Sequence, residues 1–178
     1  MRKVTLHNKT FEVFISDTEI AEIVHSISNQ INNSGVKDPL FIAVMNGAFL
    51  FAADVMRKIT ISNAEISFIK LSSYEGTETT GKVDELIGVS DDISGRNIIV
   101  LEDIIDTGIT LEKIISLLKK EEVADIKVAT LLFKPDSYTK DIHIDFIGKS
   151  IPNDFVVGYG LDYDEIGRNL PHIYKLKN

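Results

Sequence analysis

The spacing of apolar residues predicts helices that alternate with strands along most of the chain. Ser16 followed by Glu19 predicts a capping box, and apolar residues then recur at helical spacing up to the polar run at 32–35. Helices are also predicted for 46–59 and 110–121. Short apolar runs predict buried strands between the helices, at 40–44, 64–71, 97–101, 126–133, 145–148 and 155–160.

The order of these elements predicts the fold class. Strands that alternate with helices and are apolar on both faces indicate a mostly parallel sheet covered by helices on two sides, an α/β fold. No repeat or Pro/Gly/Ser-rich linker interrupts the 178 residues, of which 44% are hydrophobic, so one domain spanning 1–178 is expected. In such sheets ligands bind beyond the carboxyl ends of the strands.

Composition and charge narrow the classes of function. The chain has no cysteine, which excludes a disulfide framework and a thiolate site. Its net charge is -8 and it has no Lys/Arg-rich run, which weighs against a nucleic-acid partner. The N-terminal residues lack a signal-peptide core, and the longest apolar runs are far below membrane-spanning length. A soluble cytoplasmic protein with no membrane partner is therefore expected.

Residues 98–110, IIVLEDIIDTGIT, contain most of a predicted strand. Three closely spaced carboxylates come after that strand: Glu102, Asp103 and Asp106. A like-charge pair about 4 Å apart costs roughly 4 kcal/mol near a protein surface, whereas a helix N-terminus returns only about 0.3 to 2 kcal/mol. Glu102 and Asp103 therefore suit hydrogen bonds from a sugar diol and a hard cation such as Mg²⁺.

The turn after these carboxylates has the features of a phosphate site. A turn that opens a helix presents unpaired backbone N–H groups, and Gly108 permits conformations closed to other residues. Thr107 and Thr110 add hydroxyl donors. A phosphate, a diol and a metal within one turn describe a phosphorylated ribose. The alternative is that the carboxylates are solvated turn residues and that Asp106 only caps the helix.

Other phosphate motifs fit the sequence badly. It contains no G-x-x-x-x-G-K-[ST], and the GYG at 158–160 lacks the third glycine of a dinucleotide fingerprint. The Asp-x-Asp pattern of phosphatases is absent from this stretch, because Asp103 and Asp106 are three positions apart.

Residues 98–110 resemble the phosphoribosyl-diphosphate signature of the type I phosphoribosyltransferases, and EDIIDTG resembles the hypoxanthine(-guanine) members. GAFLFAADVMR, SFIKLSSY, VATLLFK and FVVGYGLDYDEIGRNLPHIY stand in the order of that branch. The resemblance implies the type I fold with a small hood region, Mg²⁺ as cofactor, and a homodimer or homotetramer. It also implies transfer of phosphoribose from 5-phosphoribosyl 1-diphosphate to a 6-oxopurine.

Carried over by position, the resemblance assigns the phosphoribosyl side of the site. Glu102 and Asp103 would hold the ribose hydroxyls and the metal, and Asp106 would also act as general base. The 5-phosphate would be bound by Asp106, Thr107, Gly108, Ile109 and Thr110. Ile109 replaces a lysine that relatives often carry in this loop, and its side chain is expected to point away from the phosphate.

The resemblance also assigns the base side. Lys134 would hold the 6-oxo group, Phe155 would stack on the purine, and Val156 would contact its edge through backbone groups. Asp162 would sit beside the base and help a second Mg²⁺, and Arg168 would take the pyrophosphate. Without the resemblance, Lys134 could be a solvated turn residue, Phe155 plain core, and Arg168 a partner of Asp164.

Two further segments complete the predicted site. Asn46 stands where many relatives carry a lysine beside the pyrophosphate, so that contact would depend on backbone N–H groups around Asn46 and Gly47. Ser73 and Tyr74 would open a mobile loop over the site, within a polar stretch at 72–86. Adenine, xanthine or orotate as the base remain alternatives, with Lys134 weighing against adenine. An RNA-binding regulator of the same fold is an alternative from another class, against which the acidic balance weighs.

Overall fold

The structure is a computed structural model that describes residues 3–71 and 92–177. Within these residues it contains nine strands and three helices. In chain order they are β1 (Lys3–Leu6), β2 (Lys9–Ile15), α1 (Asp17–Asn32), β3 (Leu40–Met45), α2 (Phe49–Met56), β4 (Glu65–Lys70), β5 (Asn97–Ile105), α3 (Ile109–Lys120), β6 (Asp125–Phe133), β7 (Phe146–Ser150), β8 (Val156–Val157) and β9 (Ile173–Leu176).

Five strands form a parallel sheet in the order β4-β3-β5-β6-β7. Its central strands are apolar on both faces because helices cover both: Leu101 packs in one core cluster with residues of α1 and α2, and Val100 packs in another with residues of α3. The predicted α/β fold with a mostly parallel sheet is confirmed. The parallel direction brings the carboxyl ends of β3, β4 and β5 to one edge, where the candidate site lies.

A second sheet is antiparallel and has the order β1-β2-β9-β8. It corresponds to the small hood region that the resemblance implies. It packs against the parallel sheet through Val156, Tyr159 and Ile173, which belong to the same core cluster as α1 and α2. The expectation of a single domain stays a prediction.

Helix α1 begins and ends where the sequence predicts. Ser16 is its N-cap, and the Ser16 hydroxyl accepts a hydrogen bond from the Glu19 backbone N–H at 3.1 Å. The helix ends at Asn32, within the polar run at 32–35. The Glu19 carboxylate accepts from Lys149 Nζ at 2.7 Å, so this side chain ties α1 to β7.

Several predicted bounds are wrong. The strand at 155–160 shrinks to the two residues of β8, in the antiparallel sheet, because Gly158, Tyr159 and Gly160 all have positive φ and bend the chain away. The helix predicted for 46–59 forms only at Phe49–Met56. Strands β1, β2 and β9, which make up most of the antiparallel sheet, are not among the predicted elements. The loop at 72–86 lies outside the described residues.

Candidate active site

Strand β5 is longer than its sequence predicts. Pairing with β6 continues from Glu102 opposite Thr130 to Ile105 opposite Phe133, so the strand ends at Ile105 and not at Leu101. Glu102 and Asp103 therefore lie in the strand and not in the turn after it. The reason is that β6 also has nine residues and supplies hydrogen-bond partners along this extension.

Glu102 and Asp103 are carboxylates in a setting that disfavours charge. Only 4% of Glu102 is exposed, and burial, followed by the neighbouring Asp103, raises the Glu102 pKa well above its usual value. The pKa of Asp103 is raised from 3.8 to about 6: burial and, to a smaller extent, Asp162 raise it, against the lowering effects of backbone hydrogen bonds and of Arg168. A pair of this kind gains by binding a cation or hydroxyl donors.

The loop from Asp106 to the start of α3 has the geometry expected of a phosphate cradle. Gly108 is the N-cap of α3 with φ +83°, a left-handed conformation, and a Cβ there would collide with the ring of Tyr138. The helix begins at Ile109, one residue earlier than predicted, and its first N–H groups face the loop. Thr107 and Thr110 are exposed, as is Ile109, whose side chain is 49% exposed. A small cavity of about 90 Å³ is lined by Glu102 and residues 104–111.

Lys134 lies beside this loop rather than in a solvated turn. It follows β6, is 8% exposed, and donates to the Asp106 carboxylate with Nζ to Oδ2 at 2.7 Å. The backbone N–H of Lys134 also donates to the Ile105 carbonyl at 3.0 Å. The structure thus brings the predicted base and the predicted ligand of the 6-oxo group together as an ion pair.

Asn46 and Gly47 form the turn between β3 and α2, and the Met45–Asn46 peptide bond is cis. The backbone at Gly47 lies against Asp103 so closely that a Cβ would overlap the carboxylate. Gly160, with φ +99°, lies against Gly47 in the same way, since its Cβ would overlap the Gly47 carbonyl oxygen. Two glycines therefore let the antiparallel sheet, the 46–47 turn and Asp103 stack directly on one another.

Arg168 is held near this stack. Its guanidinium donates to the Gly160 carbonyl at 2.9 Å and pairs with Asp162 at 2.8 Å and Glu165 at 3.3 Å. Its carboxylate partners are therefore Asp162 and Glu165, and not the Asp164 considered from sequence. Because Arg168 and Asp162 both act on the pKa of Asp103, all three belong to one electrostatic group.

Phe155 and Val156 stand at the edge of the antiparallel sheet. Phe155 is 44% exposed, which excludes the reading of this residue as plain core, whereas Val156 is buried in strand β8. The Phe155 ring lies 5.7 Å from that of Tyr163, edge to face, and 6.2 Å from that of Phe11. An exposed ring fixed by neighbouring rings is suited to stacking on a flat ligand.

The carboxylates of the site fit an open magnesium site rather than a closed one. Within the described residues no group of three His, Cys, Asp or Glu converges on one point, so Glu102, Asp103 and Asp162 do not form a closed cage. Mg²⁺ keeps several waters and is commonly bound by one or two carboxylates plus substrate oxygens. The paired carboxylates of Glu102 and Asp103 fit that mode. In the same described part of the chain, no helix is long and apolar enough to cross a membrane.

Some neighbours of the site were not found from sequence. Thr139 donates to the Thr107 carbonyl through its N–H and its hydroxyl, at 3.3 and 3.2 Å, and so braces the phosphate loop. Lys9 lies over the rings of Phe155 and Tyr163. No local sequence pattern indicates either contact, because the partners are far apart in the chain. The predicted residues Ser73 and Tyr74 lie outside the described residues.

The parallel sheet and the carboxylates at the end of β5 are the features of a phosphoribosyltransferase. Comparison with known proteins gives the same class. Residues 15–164 match the family model described as a phosphoribosyl transferase domain. The chain is 37% identical to a hypoxanthine-guanine phosphoribosyltransferase of Staphylococcus aureus, with 97% of each chain covered. It is 39% identical to that of Streptococcus pneumoniae, with 97% of this chain and 96% of that one covered.

Solved structures give the same result. A hypoxanthine-guanine phosphoribosyltransferase of Bacillus anthracis superposes with a TM-score of 0.83 at 40% identity, covering 93% of this chain and 98% of that one. A hypoxanthine phosphoribosyltransferase of Staphylococcus aureus also gives 0.83, at 36% identity, with 93% and 91% covered. The chain belongs to the phosphoribosyltransferase family.

Proposed function

We propose that this chain transfers the phosphoribosyl group of 5-phosphoribosyl 1-diphosphate to a ring nitrogen of hypoxanthine or guanine, which gives IMP or GMP and pyrophosphate. The observation that carries the proposal is the sequence of groups at the end of β5. Two adjacent carboxylates, the buried Glu102 and the partly buried Asp103, are followed by a glycine-capped helix start and by the Asp106–Lys134 ion pair. The names of the bacterial relatives support the choice of base.

The sugar phosphate binds along this strand end. The 5-phosphate occupies the loop 106–110, where the start of α3 supplies backbone N–H groups and Thr107 and Thr110 supply hydroxyls. The Glu102 and Asp103 carboxylates accept hydrogen bonds from the ribose diol. These hydrogen bonds stabilise the charged forms of both carboxylates, which burial otherwise disfavours.

Asp106 and Lys134 act on the base. As the bond between the anomeric carbon and the diphosphate breaks, a purine ring nitrogen forms a bond to that carbon, and Asp106 takes the proton from the nitrogen. Lys134 has three N–H donors, so it can hold Asp106 and still donate to the 6-oxo group of the purine. Phe155 stacks on the ring and Val156 contacts its edge with backbone groups.

The diphosphate leaves toward Arg168 and the turn at Asn46 and Gly47. Arg168 is half-buried and fixed by three contacts, so its guanidinium is pre-arranged to neutralise the departing charge. The carboxamide of Asn46 brings no positive charge, so the backbone N–H groups of this turn contribute there. Glu102 and Asp103, with Asp162 for a second ion, would hold Mg²⁺, which supplies charge stabilisation of the diphosphate when bound.

One assay tests the proposal. The protein is incubated with Mg²⁺ and 5-phosphoribosyl 1-diphosphate, and hypoxanthine, guanine, xanthine and adenine are offered separately while nucleotide formation is followed. We expect IMP or GMP to form fastest, with adenine inactive because Lys134 donates to an oxo group. Omission of Mg²⁺ is expected to abolish the reaction. Formation of AMP alone, or of no nucleotide with any base, would contradict the proposal.

The assembly state and location are part of the same proposal. A homodimer or homotetramer is proposed because the resemblance to the hypoxanthine(-guanine) members implies one of these states, and a Trypanosoma cruzi relative is described for the role of its C-terminal region in its oligomeric state. Light scattering at several protein concentrations tests it, and a monomer at all of them would contradict it. The cytoplasmic location and the absence of a nucleic-acid partner stay predictions.

A further inference from the structure

The first residue of β2, Lys9, lies at the aromatic edge of the antiparallel sheet. The Nζ atom of Lys9 lies 4.7 Å from the ring centroid of Tyr163 and 5.7 Å from that of Phe155. Both distances are within the range in which an ammonium is attracted to an aromatic face. One cation therefore contacts two rings that come from a distant part of the chain.

The two rings contact each other as well. Phe155 and Tyr163 meet edge to face, with an interplanar angle of 84°, and both lie about equally far from the fully buried ring of Phe11, at 6.2 and 6.1 Å. The hydroxyl of Tyr163 also lies 3.4 Å from the Asn8 side-chain oxygen, in the β1–β2 turn. The turn therefore supports the Phe155–Tyr163 pair through a polar contact, in addition to the Lys9 ammonium at the start of β2.

Phe155 needs such support because it is exposed. With 44% of its surface accessible, an isolated phenylalanine would sample several rotamers, and a ligand that stacks on it would have to select one of them. Ordering a side chain before binding removes that part of the binding cost. A cation held over the neighbouring ring restricts the orientations that both rings can adopt.

We propose that Lys9 is a positioning residue for the purine, which acts by fixing Phe155 and Tyr163 in the orientation that receives the base. The inference rests on the proposed function, since it takes Phe155 as the stacking surface. Lys9 itself touches neither the reacting atoms nor the diphosphate side of the site. Its effect is therefore confined to the base and spares the sugar diphosphate.

The experiment compares Lys9→Met, which keeps the length of the side chain and removes the charge, with Lys9→Arg, which keeps a cation that can lie over a ring. Lys175→Met is the matched control, because Lys175 Nζ lies 5.5 Å from the ring of Phe14 in the same sheet, and its described cation–π contact is with that ring and not with Phe155 or Tyr163. For each variant kcat and the KM values for hypoxanthine and for 5-phosphoribosyl 1-diphosphate are measured. Lys9→Gln serves as a second uncharged variant.

We expect Lys9→Met to raise the KM for hypoxanthine about 3- to 10-fold, the range of a cation–π contact that is partly exposed. The KM for the diphosphate sugar is expected to stay at the wild-type value. Lys9→Arg should restore the KM for hypoxanthine, and Lys175→Met should leave it unchanged. A role in folding alone would instead lower the melting temperature and alter both KM values together.

The outcomes separate the two proposals. An unchanged KM for hypoxanthine in Lys9→Met and Lys9→Gln would overturn the positioning role while leaving the transferase activity intact. A parallel rise in both KM values, or failure of Lys9→Arg to restore the KM for hypoxanthine, would also overturn it. If the wild-type protein forms no nucleotide with any base, the proposed function fails, and the role of Lys9 falls with it.

Discussion

At the end of β5 two successive residues, the buried Glu102 and the partly buried Asp103, carry carboxylates, whereas at the edge of the antiparallel sheet an exposed ring lies among other rings and an ammonium. The first region holds unfavourable electrostatic free energy: burial raises the pKa values of Glu102 and Asp103, and a neighbouring carboxylate adds to each shift, Asp103 for Glu102 and Asp162 for Asp103. The second region holds little unfavourable electrostatic free energy, because the contacts around Phe155 are aromatic and cation–π contacts.

The difference shows how one site can recognise two unlike groups. A sugar diphosphate carries charge and hydroxyls, so a strand end that gains by neutralisation binds it selectively. A purine is flat and uncharged, so a ring held at a fixed angle suffices. The largest mutational effects should therefore come from the charged region and the backbone that supports it, and the smallest from the antiparallel sheet. Four predictions test this order.

The largest effect is expected at Asp106. Replacing it by Asn keeps the shape and a hydrogen-bond acceptor for Lys134 but removes the proton acceptor, so kcat should fall by about 10² to 10⁴-fold. The dissociation constant of the diphosphate sugar should change little, because the loop binds phosphate through backbone groups. Steady-state rates and direct titration with the sugar measure the two quantities.

Asp136→Asn is the control for this prediction, because Asp136 is an exposed carboxylate just after Lys134 and contacts neither the loop nor β5 in the described hydrogen bonds and ion pairs. Its kcat should equal that of the wild type. Wild-type turnover in Asp106→Asn would remove Asp106 from the role of base and reduce the contrast between the two regions.

The next effect concerns the backbone between the regions. Gly160→Ala must adopt φ +99° and place a Cβ on the Gly47 carbonyl, so the free energy of unfolding should fall by about 2 to 3 kcal/mol. The KM for 5-phosphoribosyl 1-diphosphate should rise as well, because the turn at Gly47 is displaced. Urea unfolding and steady-state kinetics measure these changes.

Gly35→Ala is the control for this prediction, because it separates the cost of the left-handed backbone from the cost of the Cβ contact. Gly35 also has a positive φ, +78°, but a Cβ there would meet nothing within 4 Å, so only the left-handed backbone is penalised, by about 1 kcal/mol. Equal losses in the two variants would mean that the stacking of Gly160 on Gly47 contributes nothing.

The third prediction uses pH to measure how much the charged Asp103 carboxylate destabilises the folded protein. The pKa of this carboxyl is about 6 in the folded chain and near 3.8 when unperturbed, so the folded state binds the proton more tightly. Its contribution to stability is therefore present at low pH and is lost as pH rises from about 4 to 6. Asp103→Asn removes the titrating group, and it should make the free protein more stable than the wild type by about 1 to 2 kcal/mol at neutral pH.

Unfolding by urea at about pH 5 and about pH 7.5 measures this difference, which should be smaller at the lower pH. In the wild type, Mg²⁺ with 5-phosphoribosyl 1-diphosphate should raise the stability, and in Asp103→Asn this ligand effect should be lost. A variant that is less stable than the wild type at neutral pH would show that Asp103 is not under strain.

The charged region could be predicted from sequence because it is local. The apolar run 98–101, the carboxylates and Gly108 follow one another, so spacing alone locates them at a strand end and a helix start. The extension of β5 from Leu101 to Ile105 could not be predicted, because it forms only through pairing with β6. The Asp106–Lys134 ion pair joins residues 28 positions apart, and the resemblance named both residues without pairing them.

The antiparallel sheet could not be predicted for physical reasons. Its hairpin turns at His7 and Asn8, and His7 has φ 48° without being glycine, so the Asn-Gly or Asp-Gly pair that marks a two-residue hairpin turn is missing. The register of β2 shifts between Val13 and Ile15, which breaks the alternation that marks a strand. Phe155, Tyr163 and Lys9 meet only after β1, β2, β8 and β9 have assembled, so no local pattern indicates their contact.

The smallest effect is expected where the turn that follows β8 in the antiparallel sheet meets α2. The Tyr159 hydroxyl donates to the Asp54 carboxylate at 2.7 Å, and burial together with this hydrogen bond raises the Tyr159 pKa above its usual value. Tyr159→Phe should lower the free energy of unfolding by about 0.5 to 1.5 kcal/mol, because water can still reach the half-exposed Asp54.

Urea unfolding of Tyr159→Phe, Asp54→Ala and the double variant measures the coupling between the two side chains. We expect the double variant to lose less than the sum of the single losses, since both remove the same hydrogen bond. Additive losses would show that the two side chains are not coupled, and a coupling larger than the loss in Gly160→Ala would reverse the order of the two regions.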